Sequence, residues 1–315
     1  MILATPVFAS CRAAMNILVC GGSGQVGIEL RRLPWPAGVH VCAPGREILD
    51  LEDEDSVAKV MASRHWACVV NVAAFTAVDR AEAEISRAWR LNAWAPALLA
   101  YEAAKRGIPI VHVSTDYVFD GESREPYRPF DPVHPLSVYG ASKEGGEQAV
   151  RTANARHVIL RTAWVVSANR SNFVKTMLRL AKDLDSLRVV DDQVGCPTSA
   201  SDLAEVIRTV VLRHITGDGD GPCGTYHFVN AGSTTWYDFA RAIMAGARRR
   251  GASSVPVEPI QTAHYKTAAR RPLNSVLSTE TLTRDFSIRP RAWHVALDEI
   301  LDVLVKPPMT TAAIR

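Results

Sequence analysis

The feature that most constrains this chain is a run of glycines set between two different apolar patterns. Residues 16–20 (NILVC) are apolar without polar alternation, as expected of a parallel strand buried on both faces. They lead directly into Gly21-Gly22-Ser23-Gly24-Gln25-Val26-Gly27, a G-x-x-G-x-x-G loop. Residues 26–33 then carry a helical pattern that ends at Pro34 and Pro36. Glycine permits a tight turn and lets a phosphate approach the backbone. The helix start offers free N–H groups and a partial positive charge to a pyrophosphate. A strand, a glycine loop and a helix in that order open a dinucleotide-binding unit, with Gly21, Gly24 and Gly27 as its cofactor-side glycines.

The alternation continues. Strands are expected over 39–43, 67–73, 110–114 and 158–161. Helices are expected over 53–64, 81–106 and 139–152, the middle one a single long helix stopped by Gly107 and Pro109. Strand and helix in turn predict an α/β fold, a doubly wound parallel (Rossmann) sheet with a smaller, interwoven C-terminal α/β substrate domain. The division is 1–14 as an N-terminal extension, 15–162 as the NAD(P)-binding domain, and 163–315 as the substrate domain, interleaved with the first. The later part is less regular, with helices over 172–182, 201–212 and 236–249 and strands over 187–190 and 225–230. The stretch Gly217–Gly221 reads as a flexible turn. The opening MILATPVFASCRAA lacks the basic start of a secretion signal and reads as a misassigned start or a short N-terminal extension.

Composition excludes several classes. With 47% hydrophobic and 22% charged residues the chain can build a core and is not disordered. No apolar run reaches the roughly 18 residues of a membrane span. A net charge of +3 gives no argument for nucleic acid, and Arg248-Arg249-Arg250 suits the end of a helix. The six cysteines form no C-x-x-C pair and no zinc spacing, so no metal is expected. Reduced thiols place the chain in the cytoplasm.

The residues that carry chemistry fall at strand ends. Arg46, after the second strand, could hold an adenosine 2′-phosphate, and Glu47 beside it mixes the signal. The reading leans to NADPH and leaves NADH possible. Residues 71–76 are small enough to admit a flat adenosine, or to let a helix pack closely. The strongest constellation joins Ser114-Thr115-Asp116-Tyr117, closing the fourth strand, to Tyr139-x-x-x-Lys143, opening a helix. Tyr139 and Lys143 share one helix face. A nearby ammonium would lower the tyrosine pKa from about 10, so that the phenol exchanges a proton with a carbonyl or alcohol. Thr115 could bind the same oxygen. His112, Trp236 and Trp293 read as packing residues.

These motifs resemble the extended short-chain dehydrogenase/reductase superfamily. The narrower resemblance is to the dTDP-4-dehydrorhamnose reductase family, through STDYVF at 114–119, Pro135 to Lys143, Arg161 to Trp164, Asp191 to Thr198 and Arg271 to Ser275. The resemblance covers residues 15–301. It implies reduction of the 4-keto group of dTDP-4-dehydro-β-L-rhamnose, with Thr115, Tyr139 and Lys143 as the triad. It also implies pyrophosphate contacts at Gly24, Gln25 and Val26, and an adenine-side pair, Asp50 and Leu51. Ala74, Phe75 and Thr76 would form the cofactor loop after strand three, and Val113 joins the cofactor set. Asp116 and Trp164 match sugar-nucleotide contacts.

The related 4,6-dehydratases carry Asp-Glu after the strand-end threonine, the second carboxyl being the acid that removes water. Here the pair is Asp116-Tyr117, which suits reduction. Some family members bridge subunits through magnesium held by glutamates. Glu29 keeps one such position, but Ser201 follows Pro197-Thr198-Ser199-Ala200, and a hydroxyl is a poor magnesium ligand. Mg2+ is therefore not expected as an interface bridge, and the expected state is a monomer or weak homodimer. The expected partner is a thymidine-diphosphate keto sugar. A reductase or epimerase of another nucleotide sugar, or a catalytically idle regulatory subunit on the same fold, remain as alternatives.

Overall fold

The computed structural model describes residues 14–216 and 221–305. The N-terminal extension, apart from Ala14, lies outside the described residues, as do Gly217–Asp220 of the expected flexible turn and the last ten residues. A six-stranded, wholly parallel sheet organises the chain. Its strands are β1 (Met15–Cys20), β2 (Val39–Cys42), β3 (Trp66–Asn71), β4 (Ile110–Thr115), β5 (His157–Thr162) and β6 (Gly224–His227), in the order β2-β1-β3-β4-β5-β6. The order reverses between β1 and β3. That opens a crevice at the strand C-terminal ends, where ligands bind in such sheets.

Helices cover both faces, as the unbroken apolar strands require. Helix α1 (Gln25–Arg32) lies on one face, and α2 (Glu54–Ala62) and α3 (Ala95–Lys105) on the other. Alternate residues of β1 feed the two cores, Ile17 and Val19 toward α1, Leu18 and Cys20 toward α2 and α3. Each fully buried aliphatic side chain stabilises the fold by about 1.5–3 kcal/mol. Helix α4 (Val138–Ala153) starts where the Ser137 hydroxyl accepts from Gly140 N at 3.2 Å. Asp53 caps α2 and Asn172 caps α5 (Phe173–Leu180) in the same way. Such caps contribute about 1 kcal/mol each.

The later part of the chain returns to the sheet. Helix α6 (Ala200–Ile215) packs beside α1, and β6 then adds the last strand next to β5. The remaining lobe has its own core. It joins α5, α7 (Trp236–Arg249) and α8 (Trp293–Leu304) to a parallel pair, Leu187–Val190 with Val257–Ile260.

The expected single helix over 81–106 is corrected. Its start is a separate turn, Val78–Ala81, and after residues 82–84 the helix runs on continuously through Ile85–Trp89, a π-helical turn at Arg90–Trp94, and α3. Pro96 has no N–H to donate, so the carbonyl of Asn92 loses its ordinary partner and the ladder shifts register. A Cβ on Gly146 of α4 would run into that same carbonyl, so the glycine lets α4 come close. Among the described residues, no helix is long and apolar enough to cross a membrane. Cys20, Cys42, Cys68 and Cys196 are free thiols.

Candidate active site

The glycine loop is built to have backbone, and little else, facing the crevice. Gly21 has φ +87°, and a Cβ there would sit 2.7 Å from Ala73 N. A Cβ on Gly27 would overlap the Gly21 carbonyl. The α1 start at Gly24 has no side-chain cap, which leaves its first-turn amides open. Val26 is buried in the core below, so only its backbone is available. The Gln25 amide is already engaged. Its Nε2 donates to Val165 O at 3.2 Å, and its Oε1 accepts from Ser167 Oγ at 2.8 Å and Asn172 Nδ2 at 2.9 Å. Gln25 thereby ties the loop to the second lobe, and Arg170 adds a bond from Nε to Ser23 O. Open amides, no Cβ in the way and a helix N-terminus fit a dinucleotide diphosphate.

Where the adenosine is expected, Leu51 is buried and Arg46 is held by two carboxylates. Its guanidinium lies 3.2 Å from Asp50 Oδ2 and 2.6 Å from Glu52 Oε2, largely exposed. A 2′-phosphate here would share Arg46 with both acids. The loop Ala74–Thr76 is fixed by a residue that sequence reasoning missed, Asn92. Asn92 Oδ1 accepts from Phe75 N at 2.8 Å, and its Nδ2 donates to Phe75 O at 3.1 Å and to Ser142 Oγ at 3.0 Å. Asn92 is fully buried and sits in the π turn.

Thr115 ends β4, and its hydroxyl is near enough to the Tyr139 phenol to pull the phenol's pKa down. Thr115 Oγ1 also donates to Asp116 Oδ1 at 2.9 Å and accepts from Tyr117 N at 3.2 Å. Tyr139 meets Tyr117 edge to face, with ring centroids 5.3 Å apart. The expected lowering of the tyrosine pKa is corrected. Burial pushes the Tyr139 phenol up to about 12, against the pull of Thr115 and with the Asp116 charge adding to the rise. Lys143 does not offset it, because its Nζ points elsewhere, donating to Val113 O at 2.7 Å and lying 3.4 Å from His112 Nε2. Burial lowers the Lys143 amine to about 8, while the Glu147 carboxylate pulls it back up.

His112 is more than packing. Asn71 Oδ1 accepts from Ala73 N, so its Nδ2 faces His112 Nδ1 at 3.2 Å, and His112 in turn faces Lys143. One turn beyond Lys143, Glu147 takes a bidentate Arg161 at 2.8 and 2.7 Å, both fully buried. A buried pair of this kind fixes α4 against β5.

Asp116 is buried with its Oδ2 lacking a hydrogen-bond partner. Burial drives its carboxyl up to about 6, against the pull of the Ser275 and Thr115 hydroxyls. Trp164 stands in the left-handed region at φ +47° and stacks on Trp236 at 3.6 Å. A Cβ on Gly195 would lie 2.5 Å from its ring, so that glycine makes room for the indole. Trp293 is buried core, whereas Trp236 is half-buried against this candidate substrate residue. Glu29 is taken up by Asn169 Nδ2 at 2.5 Å.

The family described as the RmlD substrate binding domain matches residues 15–306. A dTDP-4-dehydrorhamnose reductase of Sinorhizobium fredii is 40% identical over 280 residues, 89% of this chain and 94% of that protein. A solved dTDP-4-dehydrorhamnose reductase of Clostridium acetobutylicum superposes with a TM-score of 0.85 at 39% identity, covering 92% of this chain and 99% of that one. Another, from Bacillus anthracis in complex with NADP, gives 0.85 at 32% identity, covering 91% and 98%.

Proposed function

The chain belongs to the RmlD substrate binding domain family, and on that premise we propose that it reduces dTDP-4-dehydro-β-L-rhamnose to dTDP-β-L-rhamnose with NADPH. The observation that carries the mechanism is the buried grouping of Thr115 at the end of β4 with Tyr139, whose phenol it influences, and Lys143 one turn further along α4. When bound, the cofactor supplies the hydride. Gly21, Gly24, Gly27 and the backbone of Gln25 and Val26 would hold its diphosphate. Arg46, Asp50 and Leu51 would border its adenosine, the loop Ala74–Thr76 its adenosine or ribose, and Val113 and Lys143 the nicotinamide side.

Tyr139 is the proton donor. With its pKa near 12 the phenol is protonated at neutral pH, which is the form a reduction needs. Thr115 orients the substrate oxygen toward it. The burial of Thr115, Asp116, Tyr139 and Lys143 keeps bulk water from the developing oxyanion. Asp116 and Trp164 would contact the sugar. Residues 15–162 act as the cofactor domain and 163–315 as the substrate domain, interleaved with it. The enzyme works in the cytoplasm as a monomer or weak homodimer, with no magnesium bridge.

The test is oxidation of NADPH, followed at about 340 nm, with the dTDP-keto sugar and with NADH as control. Substrate-dependent oxidation yielding dTDP-rhamnose supports the assignment. Oxidation with only a UDP- or GDP-linked keto sugar reassigns the substrate, and cofactor binding without any turnover points to an idle subunit.

A further inference from the structure

Two polar side chains packed against the Lys143 amine have no part in the reduction as described. Asn71 of β3 and His112 of β4 are partners in the parallel register, and Lys143 of α4 lies against His112. Asn71 and His112 are fully buried, and Lys143 is 2% exposed. Buried polar groups cost stability unless they are hydrogen-bonded. The bonds among these three run in one line, and the direction of each follows from the atom at its end.

Ala73 N donates to Asn71 Oδ1 at 3.1 Å, which leaves Asn71 Nδ2 as the atom facing His112 Nδ1 at 3.2 Å. An amide nitrogen only donates, so Nδ1 accepts and carries no proton. Burial, and then the Lys143 charge, hold His112 well below its usual pKa. The ring is therefore neutral, with its one proton on Nε2. That N–H faces Lys143 Nζ at 3.4 Å, while Nζ itself donates to Val113 O at 2.7 Å. An ammonium has three donors and no acceptor, so the ring N–H opposes it. An uncharged amine has a lone pair to receive that N–H. The other charged group acting on Lys143 is Glu147 of its own helix, which favours the ammonium and is itself shared by Arg151 and by Arg161 of β5. Tyr139 is protonated at neutral pH, and the Asp116 charge at the end of β4 acts on that phenol. The 90–94 turn presents only the uncharged Asn92, bonded to Ser142.

We propose that Asn71 and His112 are positioning residues for Lys143: the ring, fixed by Asn71 with its proton on Nε2, keeps the uncharged amine against Val113 O and turns the charged amine out toward the nicotinamide side. This rests on the reading of Lys143 as a cofactor contact and adds what decides where its amine stands. With the amine at about 8, both forms are present in mildly alkaline solution. An anionic dinucleotide selects the ammonium. Above about pH 8 its binding therefore draws a proton from water onto Nζ. Asn71→Asp reverses the line. A carboxylate accepts from both Ala73 N and Nδ1–H, and Nε2 then offers a lone pair that keeps the amine charged.

The test begins with nitrogen NMR of the His112 ring in the free wild-type protein, where Nε2 is expected to carry the proton and Nδ1 to be bare. Calorimetry of NADPH binding in buffers of different ionisation enthalpy then counts protons. At about pH 8.5, where the cofactor phosphates are fully ionised, wild type is expected to take up about 0.5–0.8 of a proton. Asn71→Asp is expected to take up less than about 0.2. Lys143→Arg keeps its charge and is expected to take up none, which ties the uptake to this amine. In turnover, kcat/KM for NADPH should fall above about pH 8 in wild type, and about one pH unit higher or more in Asn71→Asp. A ring protonated at Nδ1, an uptake in either variant equal to that of wild type, or an alkaline limb that stays in place overturns the proposal. The tautomer is read in wild type and so decides whether or not a variant folds. If wild type binds NADPH and reduces no keto sugar, the functional reading fails, and the tautomer and the proton count still decide this one.

Discussion

Replacing Asp116 by asparagine isolates the cost of holding a carboxyl in a dry pocket. Burial raises this group from 3.8 to about 6, so the native state holds its proton more tightly than the unfolded chain. Its contribution to stability is therefore intact at low pH and is lost as pH rises through the interval from about 4 to about 6. At about 1.4 kcal/mol per pH unit, the rise corresponds to about 3 kcal/mol lost once the carboxyl is ionised. Roughly 1 kcal/mol of this is already gone at about pH 4.5, so about 2 kcal/mol remains to be lost by about pH 7.5. Asparagine keeps an acceptor for Thr115 Oγ1 and cannot ionise. Any fixed packing cost of the amide is the same at both pH values and cancels. Urea unfolding followed by tryptophan fluorescence at the two pH values should show the variant gaining about 2 kcal/mol on wild type as pH rises, with equal m-values. Curves that differ by the same amount at both pH values would refute the reasoning, and would mean that water reaches Asp116. Activity should fall in the same variant, measured as kcat/KM, because a neutral amide cannot offer the sugar a charged acceptor.

Tyr139→Phe removes the proton donor and should lower kcat by about a hundredfold or more while the NADPH dissociation constant stays put. Unchanged turnover would remove Tyr139 from the mechanism. Arg46→Ala should raise KM for NADPH more than for NADH, by about tenfold or more, since it deletes a cation and leaves Asp50 and Glu52 facing the phosphate uncompensated. Equal effects on the two cofactors would show that Arg46 only neutralises its own neighbours. Gly27→Ala forces a methyl onto the Gly21 carbonyl and should cost about 1–3 kcal/mol of stability together with cofactor affinity. A thermal melt and a fluorescence titration with NADPH check both.

The cofactor half could be read from the sequence because its signals are local. Five apolar runs, each closed by glycine, proline or a strand-end polar residue, correspond to β1–β5 within a residue or two at either end. The glycine loop and the Tyr139–Lys143 spacing carry their chemistry within a few residues. What could not be read depends on contacts distant in the chain. The strands Val165–Val166, Val194–Gly195 and Thr198–Ser199 are two residues long and hold no period. Helix α8 lies outside the elements expected from the sequence, and Trp293 within it reads only as a packing residue. Pro96 could have signalled the π turn in the long helix, but an apolar pattern on either side of it reads as a regular helix. The lysine–tyrosine coupling failed for a different reason. Helical spacing puts Tyr139 and Lys143 on one face, yet it says nothing of Val113 O and His112, which hold the amine elsewhere.

The sixth strand has a consequence for how the protein is made. Glu147 and Arg161 form their buried pair against β5, and His227 of β6 then closes over Arg161, its Nε2 3.5 Å away. On the ribosome, everything through Arg161 emerges some sixty residues before His227. Until then β5 is a bare edge and a charged pair stands at the margin of a half-finished layer. The nascent chain must therefore hold its cofactor-binding half incomplete through the synthesis of α5 and α6, and a translational pause after β5 has left the ribosome and before β6 has would present that edge to other nascent chains.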